Sequence, residues 1–158
     1  MSKPVLLDNT VLTNFALIGR SHLVLGLWPD ACTTPAVQAE YQAGVTTRQL
    51  PADVWQSLPI VTLTPAETAF ANHLSQRLGN GERTCIAMAH HQNGLFVSDD
   101  FDARHQAKVY GISTTGTIGI LLLNIQQKQI TLAKGNELLT QLIKLGYRSP
   151  VTSLNALI

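Results

Sequence analysis

Two short apolar runs that end in carboxylates constrain this chain more than any other feature of its sequence. Residues 5–7 (Val-Leu-Leu) end at Asp8. Residues 95–98 (Leu-Phe-Val-Ser) end at Asp99 and Asp100. Short apolar runs of this kind are typical of strands buried on both faces, as in a parallel sheet. Because ligands of open parallel sheets bind at the carboxyl ends of the strands, these acids meet at one edge if the two strands are neighbours.

Helical patterns alternate with short strands along the rest of the chain, which favours a largely parallel sheet covered by helices. The clearest helix start is Thr64 as N-cap, Pro65 at the first position and Glu67 at the third. We predict helices over residues 10–18, 21–27, 65–78, 82–91, 101–110, 117–125 and 134–145, and one beginning at Pro35. We predict further strands over residues 31–34, 60–63 and 111–113. The expected fold class is therefore α/β, a three-layer α/β/α sandwich.

Length and composition narrow the class of protein. The 158 residues predict a single domain over residues 1–158. The formal net charge of +1 argues against a dedicated duplex-binding protein, which would be strongly basic. Two cysteines are too few for a disulfide framework. No apolar block is long enough to span a bilayer, and Asp8 comes too early for a secretory signal, so we expect a cytoplasmic protein without a membrane segment.

Two further carboxylates fall on the apolar side of predicted helices. Glu40 lies three residues after Val37. Glu82 shares a helical stripe with Ile86 and Ala89. A carboxylate that points at a core is rarely left without a partner, so both residues are candidates for a buried site.

Each acid also has a structural alternative. Asp8, Asp99 or Asp100 could cap the helix that follows it, and Glu82 or Asp102 could favour a helix dipole. Against this, five of the ten carboxylates lie at predicted strand ends or on inward helix faces. Several carboxylates close together repel one another unless a cation compensates. A carboxylate-rich oxygen cluster prefers Mg²⁺ or Mn²⁺.

Four short motifs occur in a definite order along the chain. They are Asp-Asn-Thr-Val-Leu at 8–12, Pro-Ala-Val-Gln-Ala-Glu at 35–40, Gly-Glu-Arg-Thr-Cys-Ile-Ala at 81–87 and Phe-Val-Ser-Asp-Asp at 96–100. A later Thr-Gly-Thr-Ile-Gly-Ile-Leu segment occupies 115–121. In this order and spacing the motifs resemble the PIN-domain family, and its VapC-like branch most, over nearly the whole chain.

The resemblance implies a PIN-like parallel-sheet fold with a Mg²⁺- or Mn²⁺-dependent ribonuclease site. Carried over by position, the first acid is Asp8, the second Glu40 and the third Glu82. The fourth is Asp100, with Asp99 as the alternative. Asp8, Glu82 and Asp100 would hold the metal, and Glu40 would act partly through water.

The resemblance also implies a function and partners. It predicts an endoribonuclease that cleaves RNA phosphodiesters as the toxin of a toxin–antitoxin pair, with a small antitoxin and a homodimeric state. The apolar segments 23–28 and 118–123 are candidate interfaces, with core packing as the alternative for 118–123. Competing functions are a non-catalytic PIN-like binding module and a nuclease or phosphatase acting on another phosphate ester.

Basic residues near the acids are candidates for contact with RNA. Arg104 and Lys108 share a helix face beyond Asp100, and Arg83 follows Glu82. Such side chains hold phosphates of a single strand without reading its sequence. A solvated charged face is the alternative.

Overall fold

The computed structural model describes residues 3–158, and within this range four parallel strands form its centre. The strands are β1 (Val5–Leu7), β2 (Ala31–Cys32), β3 (Leu95–Val97) and β4 (Ser113–Thr115). Their spatial order is β2-β1-β3-β4, and every pair is parallel. The two strands predicted from apolar runs, β1 and β3, therefore lie side by side in the middle of the sheet.

Helices separate the strands in sequence and complete the three-layer α/β/α architecture that the sequence predicts. Their bounds are α1 Asn9–Leu17, α2 His22–Leu25, α3 Pro35–Arg48, α4 Pro65–His73, α5 Asn80–Gln92, α6 Phe101–Val109, α7 Thr117–Gln126, α8 Leu132–Lys144 and a short 3₁₀ helix Asn155–Leu157. The core lies between sheet and helices and includes fully buried side chains such as Leu6, Phe15, Ile86 and Phe96.

The pairing of β1 with β3 sets the position of the acids. Leu7 pairs with Val97 in register. The Asp8 N–H donates to the Val97 carbonyl at 3.0 Å, and the Ser98 N–H donates to the Thr115 carbonyl at 2.9 Å. The hydrogen-bonded ladder thus continues to the residues at which both strands end.

Several elements end or begin elsewhere than the sequence predicts, and α4 and β4 show the physical reason most clearly. Helix α4 starts with the predicted capping box, in which Thr64 and Glu67 exchange side-chain hydrogen bonds with backbone N–H groups. It ends at His73 rather than at residue 78, because Leu74 adopts an extended conformation. Strand β4 begins at Ser113 rather than at 111, since Gly111 has a left-handed φ of 73° after α6.

The predicted edge strand over residues 60–63 is not formed as a strand. Ile60 makes only an isolated parallel bridge to Thr33. Its backbone leaves the sheet after that single contact, so β2 is the outer strand on this side.

The two apolar segments considered as interfaces contribute to the core. Leu23 and Val24 of α2 are buried, as are Ile120 and Leu121 of α7. Buried Asn124 joins the two helices by donating to the carbonyl of Leu23 at 2.9 Å. The most apolar parts of these segments are therefore already covered by the fold.

Composition predicts neither disulfides nor membrane spans. Cys32 and Cys85 are both buried free thiols. Among residues 3–158, no helix is both long enough and apolar enough to cross a membrane.

Gly94 should be required for the close approach of β1 and β3. A Cβ at this position would stand 2.6 Å from the backbone oxygen of Pro4, which accepts a hydrogen bond from the Leu95 N–H. We expect Gly94→Ala to lower the free energy of unfolding by about 1–3 kcal/mol, as overpacking does. Urea denaturation measures the change.

Asn93→Gly is the matched control for Gly94→Ala. Asn93 has a left-handed φ of 53°, which glycine adopts readily. We expect it to change stability by less than about 0.5 kcal/mol. Equal stability of Gly94→Ala and the parent would contradict the proposed close contact.

Candidate functional site

Asp8 lies at the centre of the candidate site and is almost completely buried, with 1% of its surface exposed. Its Oδ2 accepts hydrogen bonds from Ser98 Oγ at 2.7 Å and from Thr10 Oγ1 at 3.3 Å. Asp8 occupies the N-cap position of α1, but its side chain makes no capping hydrogen bond. The capping role considered from the sequence is therefore not the one that its carboxylate performs.

Burial raises the pKa of Asp8 to about 6, although the Ser98 hydrogen bond opposes the shift. The negative charge of Glu40 raises the same pKa further. Ser98 is itself buried and its Oγ also accepts from the Asp100 N–H at 3.1 Å. One serine hydroxyl thus links the first acid to the loop that carries the fourth.

The side chains of the adjacent residues Asp99 and Asp100 accept hydrogen bonds from different parts of the fold. The Asp99 carboxylate accepts from the Thr117 N–H at 2.7 Å, from the Thr117 hydroxyl and from Asn14 Nδ2 at 3.0 Å. Asp100 Oδ1 caps α6 by accepting from the Ala103 N–H at 2.8 Å. Asp99 is therefore held between α1 and α7, whereas Asp100 lies at the start of α6.

Glu40 and Glu82 meet at the start of α5. Glu40 Oε1 accepts from the Gly81 N–H at 3.0 Å, and a Cβ at Gly81 would stand only 2.7 Å from Glu40 Oε2. At Gly79, a Cβ would stand 3.5 Å from Glu40 Oε1 and 3.9 Å from Glu82 Oε1. The two glycines therefore give both carboxylates room at the same helix end.

Glu82 has the most perturbed carboxylate of the site. Its pKa is raised to about 8, first by partial burial and then by the negative charges of Asp8, Asp100 and Glu40. The charges of the other three carboxylates thus act on Glu82, so the four share one electrostatic environment. The Asp99 carboxylate is instead hydrogen-bonded to Asn14 and Thr117, and the choice of Asp100 rather than Asp99 as the fourth acid stays a prediction.

Among residues 3–158, no basic side chain forms an ion pair with the acidic cluster, which we define as Asp8, Glu40, Glu82 and Asp100. Within residues 3–158, the ion pair between Lys134 and Glu137 on α8 is the sole one closer than 4 Å. Nearby carboxylates without a counter-charge are disfavoured in their ionised form. Their chemistry fits a hard divalent cation, which prefers oxygen ligands.

The same side chains do not form a closed metal cage. No three His, Cys, Asp or Glu side chains in the described range are arranged so as to hold a metal ion. Magnesium in proteins commonly uses one or two carboxylates and keeps several waters. The cluster therefore fits a partly hydrated cation better than one enclosed by protein ligands.

The basic residues named from the sequence separate into two places. Arg104 and Lys108 line a cavity of about 620 Å³ beside Asp99. Arg83 does not line it, and its guanidinium instead donates to Gln76 at 3.0 Å and to Asn80. Arg83 is thus engaged by neighbours at the start of α5.

Sequence reasoning missed three residues near the acids. Phe101, Tyr147 and Arg148 line the same cavity, and Tyr147 and Arg148 also line a second one of about 360 Å³ that reaches Asp100. Burial raises the pKa of Tyr147, the charge of Asp99 adds to the shift and that of Arg104 opposes it. The position of Phe101 next to Asp100 was the one signal available in the sequence.

Comparison with known proteins agrees with this geometry. No curated protein matches the chain. A family model described as DUF3368, PIN domain, matches residues 4–158. This match covers all four strands and every residue of the acidic cluster. The chain therefore belongs to the PIN-domain family, whose members are generally nucleases.

Proposed function

We propose that this protein is a Mg²⁺- or Mn²⁺-dependent endoribonuclease that cleaves RNA phosphodiesters. The observation that supports this function most directly is the acidic cluster, in which four carboxylates lie together without a basic partner in the described range. A site of this charge is suited to a cation that can in turn receive the negative phosphates of RNA. Membership of the PIN family supports the same class of reaction.

We propose that the cation lies among Asp8, Glu82 and Asp100, which would hold it partly through its retained waters, with Glu40 also acting partly through water. The Ser98 and Thr10 hydroxyls fix the orientation of the Asp8 carboxylate. When bound, a divalent cation supplies Lewis-acid activation of water and neutralises charge on the phosphate oxygens.

Backbone N–H groups hold the other carboxylates of the acidic cluster in place. The Gly81 N–H fixes one oxygen of Glu40. The Ala103 N–H engages one oxygen of Asp100 and leaves its other oxygen available for a further contact. Because water is the proposed nucleophile, no covalent intermediate with a side chain is needed.

Positive side chains beside the cluster are proposed to hold the RNA backbone. Arg104 and Lys108 lie on α6, directly beyond Asp100. Arg83 follows Glu82 and is a further proposed phosphate contact, although its Nη atoms already donate to Gln76 and Asn80. Phosphate contacts of this kind position a strand and carry no sequence information.

We further propose that the protein is the toxin of a toxin–antitoxin pair in the cytoplasm. This rests on the resemblance of its motifs to the VapC-like branch. A small antitoxin that covers the acidic crevice, and a homodimeric state, follow from the same resemblance.

Asp8→Asn should abolish cleavage while preserving the fold. The substitution keeps the shape of the side chain but removes a charge that is proposed to bind the cation. We expect the cleavage rate of a fluorescent RNA with Mn²⁺ to fall at least about 100-fold. Asp102→Asn, an exposed acid on α6 outside the cluster, should retain the parent rate. Full activity of Asp8→Asn would refute the assignment.

Stability of the metal-free protein should fall as pH rises from 5 to 8. The folded pKa values of Asp8 and Glu82, about 6 and about 8, lie above the ordinary values of 3.8 and 4.5. Between the ordinary and the raised pKa values, the folded state therefore binds more protons than the unfolded state. The stability that this proton binding contributes is lost as the two acids ionise. For buried Asp8 alone we expect a loss of about 1–2 kcal/mol, measured by urea denaturation in EDTA.

Mn²⁺ should reverse this loss. We expect the cation to raise the melting temperature more at pH 8 than at pH 5, because protons compete with it for the carboxylates. Glu82→Gln should reduce both the pH dependence and the response to Mn²⁺, whereas Asp102→Asn should alter neither. No stabilisation of the parent protein by Mn²⁺ at pH 8 would favour the non-catalytic binding module instead.

Expression of the protein in a bacterial host should slow growth if it is a toxin. We expect Asp8→Asn to abolish this effect and Asp102→Asn to retain it. Co-expression of a small protein encoded next to the gene should restore growth. Equal growth of hosts that express the parent and Asp8→Asn would contradict the toxin role without affecting the nuclease assignment.

A further inference from the structure

The cavity of about 620 Å³ beside the acidic cluster has the size of an ordinary ligand site. One wall is the α6 face with Phe101, Arg104 and Lys108, a second is the end of β4 with the start of α7, and a third is the segment that follows α8, with Tyr147 and Arg148. The three walls come from different parts of the chain. This cavity is therefore a product of the tertiary fold.

Phe101 is the unusual member of this cavity. Its side chain is 82% exposed, whereas Phe15 and Phe96 are completely buried. It directly follows Asp100, and its ring lies nearly parallel to that of His105, with an interplanar angle of 9° and centroids 6.5 Å apart. The ring contributes little to the core, and its exposure leaves it available to stack with a ligand.

Positive charge surrounds this exposed ring. Arg104, Lys108 and Arg148 line the same cavity, and none of them forms an ion pair in the described part of the chain. Arg104 reaches inward because residue 116 is glycine. A Cβ there would stand 3.0 Å from Arg104 Nη1 and 2.5 Å from Asp99 Oδ1.

The positive charge is concentrated at this cavity and is not spread over the whole protein. The chain as a whole has a formal net charge of only +1, whereas three cations and the single carboxylate of Asp99 line this one cavity, which is therefore a distinct positive region. Such a region attracts anions even on a nearly neutral protein. An aromatic face beside a positive groove is the combination that binds single-stranded nucleic acid, where bases stack and cations hold phosphates.

We propose that this cavity is a subsite for one unpaired nucleotide of an RNA strand that is bound for cleavage. Its base stacks on Phe101, and its flanking phosphates contact Arg104, Lys108 and Arg148. The location of this subsite next to the cleaved bond rests on the proposed function, because Asp100 immediately precedes Phe101. The subsite requires an unstacked base, so the strand must be unpaired at this position.

A peptide is a weaker candidate for this cavity. An acidic peptide would satisfy the three cations, but it would give no reason for a flat aromatic ring beside them. A nucleotide uses both features at once. Competition by a peptide is therefore one of the outcomes that the experiment distinguishes.

Binding of a fluorescein-labelled single-stranded RNA hexamer in EDTA tests the subsite without cleavage. We expect Phe101→Ala to weaken binding about tenfold. Phe101→Trp should retain binding, and Phe101→Leu should resemble the alanine variant, because leucine keeps apolar area but has no aromatic face. Val109→Ala, at a 64% exposed apolar position on the same helix, is the matched control and should leave binding unchanged.

An RNA hexamer with an abasic site provides the second arm. The abasic site is moved along the strand, one position at a time. If one base stacks on Phe101, the parent protein should bind one of these abasic strands weakly. That affinity should equal the affinity of Phe101→Ala for the intact strand. At that position Phe101→Ala should cause no further loss. Arg148→Ala should weaken intact and abasic strands alike and reduce the salt dependence of binding by one phosphate contact.

The outcomes separate this inference from the proposed function. Tenfold loss in Phe101→Ala, together with the abasic result, supports the subsite even if no RNA is cleaved when Mn²⁺ is added. Unchanged binding by Phe101→Ala, or full binding by Phe101→Leu, overturns the stacking subsite even if the parent cleaves RNA. An acidic peptide that binds the parent as tightly as the RNA hexamer does, and that Phe101→Ala weakens to the same extent, would likewise overturn it.

Discussion

The parallel pairing of β1 with β3 is the constraint on which the rest of this site depends. Leu7 pairs with Val97, and the ladder continues through the Asp8 N–H to the Val97 carbonyl. Because parallel strands end at the same edge, Asp8 and Ser98 become hydrogen-bonded neighbours although 90 positions separate them in the chain. A shift of register by one residue would turn Asp8 to the opposite face of the sheet. We therefore expect the close packing at Gly94 to matter for the geometry of the site as well as for the stability of the fold.

The acidic cluster opposes the stability of the fold that creates it. Burial raises the pKa of Asp8, and neighbouring carboxylates add to the effect of burial on Glu82. A cluster selected only for stability would include a lysine or arginine, and the described part of the chain places none in ion-pair contact with it. Functional sites are where proteins tolerate such conflicts between local chemistry and stability. The missing counter-charge is therefore best explained by a ligand that supplies it.

Local patterns were sufficient to predict the part of this site that depends on strand ends and helix faces. Asp8 was predicted by a short apolar run and Glu82 by a helical stripe, and the fold brings both into one electrostatic environment. The different surroundings of Asp99 and Asp100 could not follow from spacing, because they depend on donors from α1 and α7 that contact Asp99. The contribution of Arg148 was equally inaccessible, since it depends on where the segment after α8 packs against α6.

Asp99 lies between the acidic cluster and the basic side chains of the cavity, and its hydrogen bonds explain how these opposite charges can lie close together. Its carboxylate accepts from Asn14 and from both the N–H and the hydroxyl of Thr117, so neutral donors satisfy it. If Arg104 were instead paired with this carboxylate, its charge would be unavailable to a ligand in the cavity. Hydrogen bonds from neutral donors thus hold Asp99 between the acidic cluster and the positive cavity. The basic side chains of the cavity are therefore not paired with Asp99. This separation suits the proposed function, in which the reacting phosphate of an RNA strand would need a cation site while its neighbouring phosphates would contact basic side chains.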